Sequence, residues 1–213
     1  MSNLKIALIN GSPKGKSSVS GFILDELKSY FDQQIITEFP FHASHSITTA
    51  ELEALAVQDI LVFAFPLYVD GIPSHLLRSL VKIENYFNGD PPELKVYAVV
   101  NAGFFEGKQT KNALDMMRRW SEASGVKWGQ GIGIGGGGML TSLRNVQNGK
   151  GPRKDPSLVL RALAKNATEG KSTGNIFVSP NFPRFLYKIA AELGWRLRIR
   201  QNGLHQKDLF TQK

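Results

Sequence analysis

The chain predicts an α/β fold built on a doubly wound parallel sheet of five strands. Three observations predict it. Short apolar runs alternate with stretches whose apolar residues recur at helical spacing. The apolar runs are continuous rather than alternating, as strands covered on both faces should be. And the segments richest in Gly, Ser, Pro and Asn fall at the expected carboxyl ends of the first, third and fourth strands, where ligands bind in sheets of this class.

The elements follow in order. Leu4 to Ile9 reads as the first strand, and Val19, Phe22, Ile23, Leu27 and Tyr30 mark a first helix that begins near Ser18. Gln34 to Phe39 is a second strand. Thr48 or Thr49 caps a short helix with Glu51 in its first turn. Ile60 to Phe65 is a third, fully buried strand. Ser74 then caps a helix carrying Leu76, Leu77, Leu80, Val81 and Phe87, which Asn88-Gly-Asp-Pro-Pro92 stops. Lys95 to Val100 is the fourth strand, Ala113, Leu114, Met117 and Trp120 lie on one helix, and Lys127 to Ile134 is the fifth strand. Asp155-Pro156 opens a further helix. The reading is one domain over 1–213, with 175–213 as a C-terminal extension.

Length and composition bound the function. The 213 residues suffice for one sizeable core, and 42% hydrophobic with 21% charged residues is the balance of a globular protein. The absence of cysteine excludes disulfides, thiolate metal sites, cysteine-held iron–sulfur clusters and cysteine nucleophiles. No apolar run approaches a membrane span and the N-terminus leads straight into a strand without a signal sequence, so a cytoplasmic location is expected. The net charge of +8 favours anionic partners, but Lys and Arg are scattered and no nucleic-acid-reading motif appears, so nucleic acid is not expected.

The segment between the first strand and first helix carries the chemistry. Six of the ten residues from Gly11 to Ser20 are Gly or Ser, with Lys14 and Lys16 among them. Amides, hydroxyls and a cation at a helix N-terminus suit a phosphate. Gly11-Ser-Pro-Lys-Gly15-Lys16-Ser17 is one residue short of G-x-x-x-x-G-K-[ST], Pro13 removes a donor, and the third strand ends in Pro66 rather than a magnesium-binding carboxylate. A nucleotide-hydrolysing loop is therefore disfavoured. A metal-free loop wrapping a terminal phosphate and an ordinary βα turn remain.

Three segments together resemble the NAD(P)H-dependent FMN reductases of the flavodoxin-like superfamily. Gly11-Ser-Pro-Lys14 with Ser18-Val-Ser20 is similar to that family's G-S-P-[RK]…S-N-[ST] loop, with Val19 where the family has Asn. Pro66-Leu-Tyr68-Val-Asp-Gly71-Ile-Pro73 and Leu76-Leu-Arg78 resemble P-x-Y-x-x-x-x-P…L-[KR], and Asn101-Ala-Gly-Phe-Phe-Glu106 lies where the third flavin loop falls. The resemblance covers roughly residues 4–140. It implies a three-layer flavodoxin-like sandwich of strand order 2-1-3-4-5, with helices on both faces and an extra C-terminal helix. It implies FMN as cofactor and NAD(P)H as co-substrate. Ser12, Lys14, Ser17, Ser18, Val19 and Ser20 would surround the phosphate, Pro66, Leu67, Tyr68 and Val69 would run along the isoalloxazine edge, and Asn101, Gly103 and Phe104 would hold its pyrimidine end. Glu106 is a weaker candidate. No catalytic acid or base is required, because flavin carries the hydride chemistry. A small acceptor such as a quinone, an azo or nitro compound or free flavin would take the electrons, and a homodimer or higher homo-oligomer is implied. An electron carrier of flavodoxin type and a flavin-free binding module on the same fold are the rival readings.

The remaining signals are weaker. His42 and His45 sit three apart without a third ligand nearby, which suits surface or capping histidines better than metal. No Ser occupies a nucleophile elbow. Gly135–Gly138 with Gly149-Lys-Gly-Pro-Arg-Lys154 reads as a mobile stretch, either a flexible loop or a lid. Phe182, Phe185, Leu186, Ile189, Ala190 and Leu193 form one helical stripe followed by Arg196, Arg198 and Arg200. Docking on the protein's own core, a dimer contact and a membrane surface contact through 181–200 are weighed in that order.

Overall fold

In a computed structural model, residues 3–205 and 208 are described. They divide into two compact units, one up to Pro180 and one from Asn181.

The first unit alternates strands and helices: β1 (Lys5–Asn10), α1 (Val19–Lys28), β2 (Ile35–Pro40), α2 (Thr49–Ala56), β3 (Ile60–Pro66), α3 (Ser74–Phe87), β4 (Lys95–Asn101), α4 (Lys111–Ala123), β5 (Lys127–Ile134), α5 (Gly137–Ser142), α6 (Lys154–Thr168) and β6 (Ile176–Val178). All pairings are parallel, in the order β2-β1-β3-β4-β5-β6. The five expected strands stand in the expected order. The sheet has six strands rather than five, because Ile176–Val178 adds to the outer edge of β5. Three residues are too few to display an alternation, so β6 has no signature of its own in the sequence.

Alternation within the central strands sends side chains to two cores. Ala7, Ile9, Leu61, Phe63, Phe65, Val96, Ala98 and Val100 meet Leu55 of α2, Leu76 and Leu80 of α3 and Leu114 and Met117 of α4. Ile6, Leu8, Val62, Ala64, Val99, Ile132 and Ile134 meet Ile23 and Leu27 of α1, Leu140 of α5 and Leu160 and Leu163 of α6. Both faces being covered explains the unbroken apolar runs.

Local chemistry sets the helix ends. Ser18 caps α1 by accepting from the Gly21 amide. Thr48 and Glu51 form a reciprocal capping box on α2. The expected cap at Ser74 is absent: Pro73 holds the cap position, Ser74 is the first helical residue, and no side chain caps this end. In β5 the glycines admit close neighbours, since a Cβ at Gly131 would lie 2.7 Å from the Leu114 side chain and one at Gly133 would lie 2.0 Å from Thr110 Oγ1. The β1–β3 junction, where the strand order reverses, is the topological switch point. The second unit contains α7 (Arg184–Gln201), and among the described residues no helix is long and apolar enough to cross a membrane.

Candidate functional site

The three glycine-, proline- and asparagine-bearing loops leave the carboxyl ends of β1, β3 and β4 side by side. Asn101, the last residue of β4, holds their roots together. Its Nδ2 donates to Ser20 Oγ at 2.8 Å and to the Phe65 carbonyl at 3.0 Å, while its own carbonyl accepts from the Leu67 amide at 2.8 Å. One side chain thus joins the end of β3, the end of β4 and the first turn of α1. Ser20 is fully buried and Asn101 nearly so, which makes both internal fasteners of the loop cluster.

The first loop is ordered by its own side chains. Asn10 Nδ2 donates to the Gly15 carbonyl at 3.0 Å, and Asn10 Oδ1 accepts from the Ser12 amide at 3.1 Å. Residues Gly15–Ser17 form a 3-10 turn that Gly15 enters with φ of 62°, a conformation open to glycine at no steric cost. Ser18 is occupied on both sides, donating to the Gly15 carbonyl and accepting from Gly21. Ser12 is buried, and its Oγ faces the Lys14 amide at 3.4 Å. Ser17 lies at the surface with its hydroxyl turned to the Lys14 carbonyl. Val19 and Ser20 occupy the first helical turn, whose amides have no acceptor within the helix. Lys14 is exposed, whereas Lys16 leans toward Glu38 at 3.7 Å. Lys28 bonds the same carboxylate at 2.6 Å and holds it below the usual range.

The second loop is a tight hairpin. Tyr68 and Gly71 exchange both backbone hydrogen bonds, at 3.1 and 3.0 Å, around Val69 and Asp70. Both central residues have positive φ, 46° and 59°, as a hairpin turn of this length requires. For a β-branched residue this is strained. Val69 is fully exposed and Tyr68 is 47% exposed, while Pro66 and Leu67 are half-buried at the loop's base.

The third loop is fastened from across the sheet by the glycine run. Gly137 donates to the Ala102 carbonyl at 2.7 Å, Gly136 to the Phe104 carbonyl at 2.5 Å, and Gly135 to the Val178 carbonyl at 2.9 Å. A Cβ on Gly135 would lie 2.0 Å from the Phe105 carbonyl oxygen. The stretch expected to be mobile is therefore, at 135–137, a bonded support, and α5 follows it directly. The support leaves Gly103 exposed with open space where a side chain would be, and Phe104 57% exposed.

Two buried polar features behind the loops carry no sequence signature. His75 in the first turn of α3 is 8% exposed, and its Nε2 has no hydrogen-bond partner. Burial holds its pKa below the ordinary 6.5, reinforced by Arg78 and His42 and opposed by the backbone of Phe41 and Gly11. Arg153 and Glu26, both nearly inaccessible, pair at 2.5 Å, with Tyr30 donating to the other Glu26 oxygen at 2.9 Å and Arg153 also donating to the Val146 carbonyl at 2.6 Å. This pair fastens the segment after α5 to the outer side of α1. His45 is stacked on Phe41 and sits 3.2 Å from Glu51, beside the α2 cap.

Solved structures place this architecture. An NAD(P)H:quinone oxidoreductase from Methanothermobacter marburgensis superposes with a TM-score of 0.57 at 14% identity, over 78% of this chain and 96% of its own. A flavodoxin, WrbA-like protein from Agrobacterium tumefaciens gives 0.55 at 11% identity, over 79% and 100%. The apo form of an NADH:FMN oxidoreductase gives 0.56 at 15% identity, over 80% and 91%. The fold is flavodoxin-like. No family model and no curated protein matches the sequence. The three loops of this flavodoxin-like chain are those at the switch point and on the two strands beyond it, and they unite Ser12 to Ser20, Pro66 to Val69 and Asn101 to Phe104 at one end of the sheet.

Proposed function

We propose that the protein is an FMN-dependent oxidoreductase that passes electrons from NAD(P)H through bound FMN to a small acceptor such as a quinone, an azo or nitro compound or free flavin. The observation that supports this most is the Asn101 fastening, which holds three loops together at the carboxyl end of the sheet, where Tyr68, Gly103 and Phe104 are exposed.

The residues fit the cofactor. Val19 and Ser20 offer free first-turn amides, Ser17 a surface hydroxyl and Lys14 an exposed cation, which together match the needs of a terminal phosphate. Val19 lacks the side-chain donor of the family's Asn but keeps its amide. Ser12, Ser18 and Ser20 shape the loop from within. Flavin, when bound, supplies the hydride and electron chemistry. The chain's own part is to bind and to exclude water: Pro66 to Val69 present backbone groups at the loop edge, Gly103 lets backbone approach a planar ring, and Tyr68 and Phe104 offer aromatic surface on which a planar substrate can stack. No side chain needs to donate or accept a proton.

The test is the visible spectrum of the purified protein before and after addition of FMN and desalting. A retained, perturbed flavin spectrum followed by NAD(P)H oxidation with a quinone acceptor is expected. A retained spectrum without turnover would assign the protein to the electron carriers. No perturbation up to high FMN would leave a flavin-free module on this fold.

A further inference from the structure

The basic charge of this chain is concentrated in its second unit. Residues 181–213 contain seven Lys or Arg against two Asp or Glu, so they carry +5 of the total of +8. Helix α7, 18 residues long, holds Arg184, Lys188, Arg196, Arg198 and Arg200 against a single acid, Glu192. Ile199 is buried and Trp195 is exposed on the side of Arg184 and Lys188, while the remaining large apolar side chains form one exposed row: Phe185, Ile189, Leu193 and Leu197 follow one another four residues apart, with Leu186 beside them, and Phe185 and Leu193 are 66% and 54% exposed. At 100° per residue these five share one face of the helix, and Arg184 and Lys188 fall opposite. Arg196 and Arg200 continue the apolar face at its C-terminal end. There their aliphatic stems can lie along an apolar surface while the guanidinium groups reach outward to anions.

We propose that α7 is a docking helix for an anionic lipid surface, lying in the plane of the bilayer interface. The charge selects this occupant over a second copy of the chain, which would bring another +8 molecule and a second cationic helix against the first. The apolar face selects a bilayer over a purely polyanionic partner, since Phe185, Leu186, Ile189, Leu193 and Leu197 need an apolar phase and the cations need phosphates within about 10 Å of it. The helix is too charged to span, which leaves the interface as the place where both of its chemistries are satisfied.

The experiment is co-sedimentation of the full-length protein with vesicles of phosphatidylcholine alone or with about 30% phosphatidylserine. Binding to the anionic vesicles at least about tenfold tighter than to the neutral ones is expected, weakening as salt rises. Two variant pairs separate the contributions. Ile189→Glu with Leu193→Glu removes the apolar contact. Arg196→Gln with Arg200→Gln removes charge and leaves the apolar side chains in place, so it remains informative even if the glutamates unwind the helix. Each pair lowers binding if the inference holds. Absence of binding to anionic vesicles overturns it, as does binding that neither pair affects. A concentration-dependent dimer that Ile189→Glu with Leu193→Glu dissolves, in a protein that ignores vesicles, overturns it in favour of a second copy. FMN plays no part in the measurement, so its result stands apart from the flavin reading.

Discussion

Asn101 and Ser20 show how a side chain can shape a candidate site from within, without facing a ligand. Asn101 Nδ2 serves two acceptors in a buried junction, and an acceptor left bare there loses both water and partner. Asn101→Ala is expected to lower unfolding free energy by about 2–3 kcal/mol and Ser20→Ala by about 1 kcal/mol, with the double variant less than additive, in urea titrations. Val69 lies at the other extreme, fully exposed and held at positive φ. Val69→Gly should raise stability by about 1 kcal/mol, since glycine adopts this conformation without strain and nothing packs on the lost side chain. His75 adds a pH dependence. Its folded pKa is depressed from 6.5, so the unfolded chain binds the extra proton first. Its stabilising contribution is complete above pH 6.5 and is lost as pH falls through the lower folded value. Thermal melts between pH 7.5 and 5.5 should therefore fall more steeply for the parent than for His75→Leu.

At the scale of elements, the glycines of β5 and the run after it decide the position of the third loop. Gly135→Ala places a methyl group against the Phe105 carbonyl, so the loop must move. Overpacking of this kind costs about 1–3 kcal/mol, and FMN titration by fluorescence quenching should weaken at least about tenfold, or 1.4 kcal/mol. Glu26→Ala leaves Arg153 buried and unpaired beside α1, and a loss of about 3–5 kcal/mol is expected in the same urea assay. The elements also show what a sequence can and cannot display. The loops were legible, because Gly, Ser, Pro and Asn at strand ends have local conformational meaning. The Asn101–Ser20 bond spans 81 residues and the Arg153–Glu26 bond 127. Neither leaves a periodic or local trace, so two candidate contact residues are placed inside the junction and the ion pair had no signal at all. The glycine run looked mobile because its donors meet carbonyls 32 or more residues away, Ala102 and Phe104 before it and Val178 after it, and composition alone does not reveal an acceptor.

Across the whole molecule, the five long strands were legible because burial on both faces writes an unbroken apolar run into each central strand, whereas their order followed from the resemblance of the three loops and not from the runs themselves. β6 was not, being three residues long. The two units should differ in local stability. β1, β3 and β4 are buried almost throughout, whereas α7 is mostly exposed. Hydrogen exchange followed by mass spectrometry should find the slowest amides in those three strands and rapid exchange along α7.

The support beneath the third loop also dictates when the molecule can be finished. The carbonyls of Ala102 and Phe104 receive their donors from Gly137 and Gly136, and Gly135 in turn leans on Val178. A polypeptide emerging from the ribosome presents the first two loops early. It completes the third only after the glycine run has left the exit tunnel and β6 has closed the sheet edge. Maturation of the loop cluster is thus a late event of synthesis, and truncated products ending before residue 135 carry the sequence of all three loops without the means to shape the last.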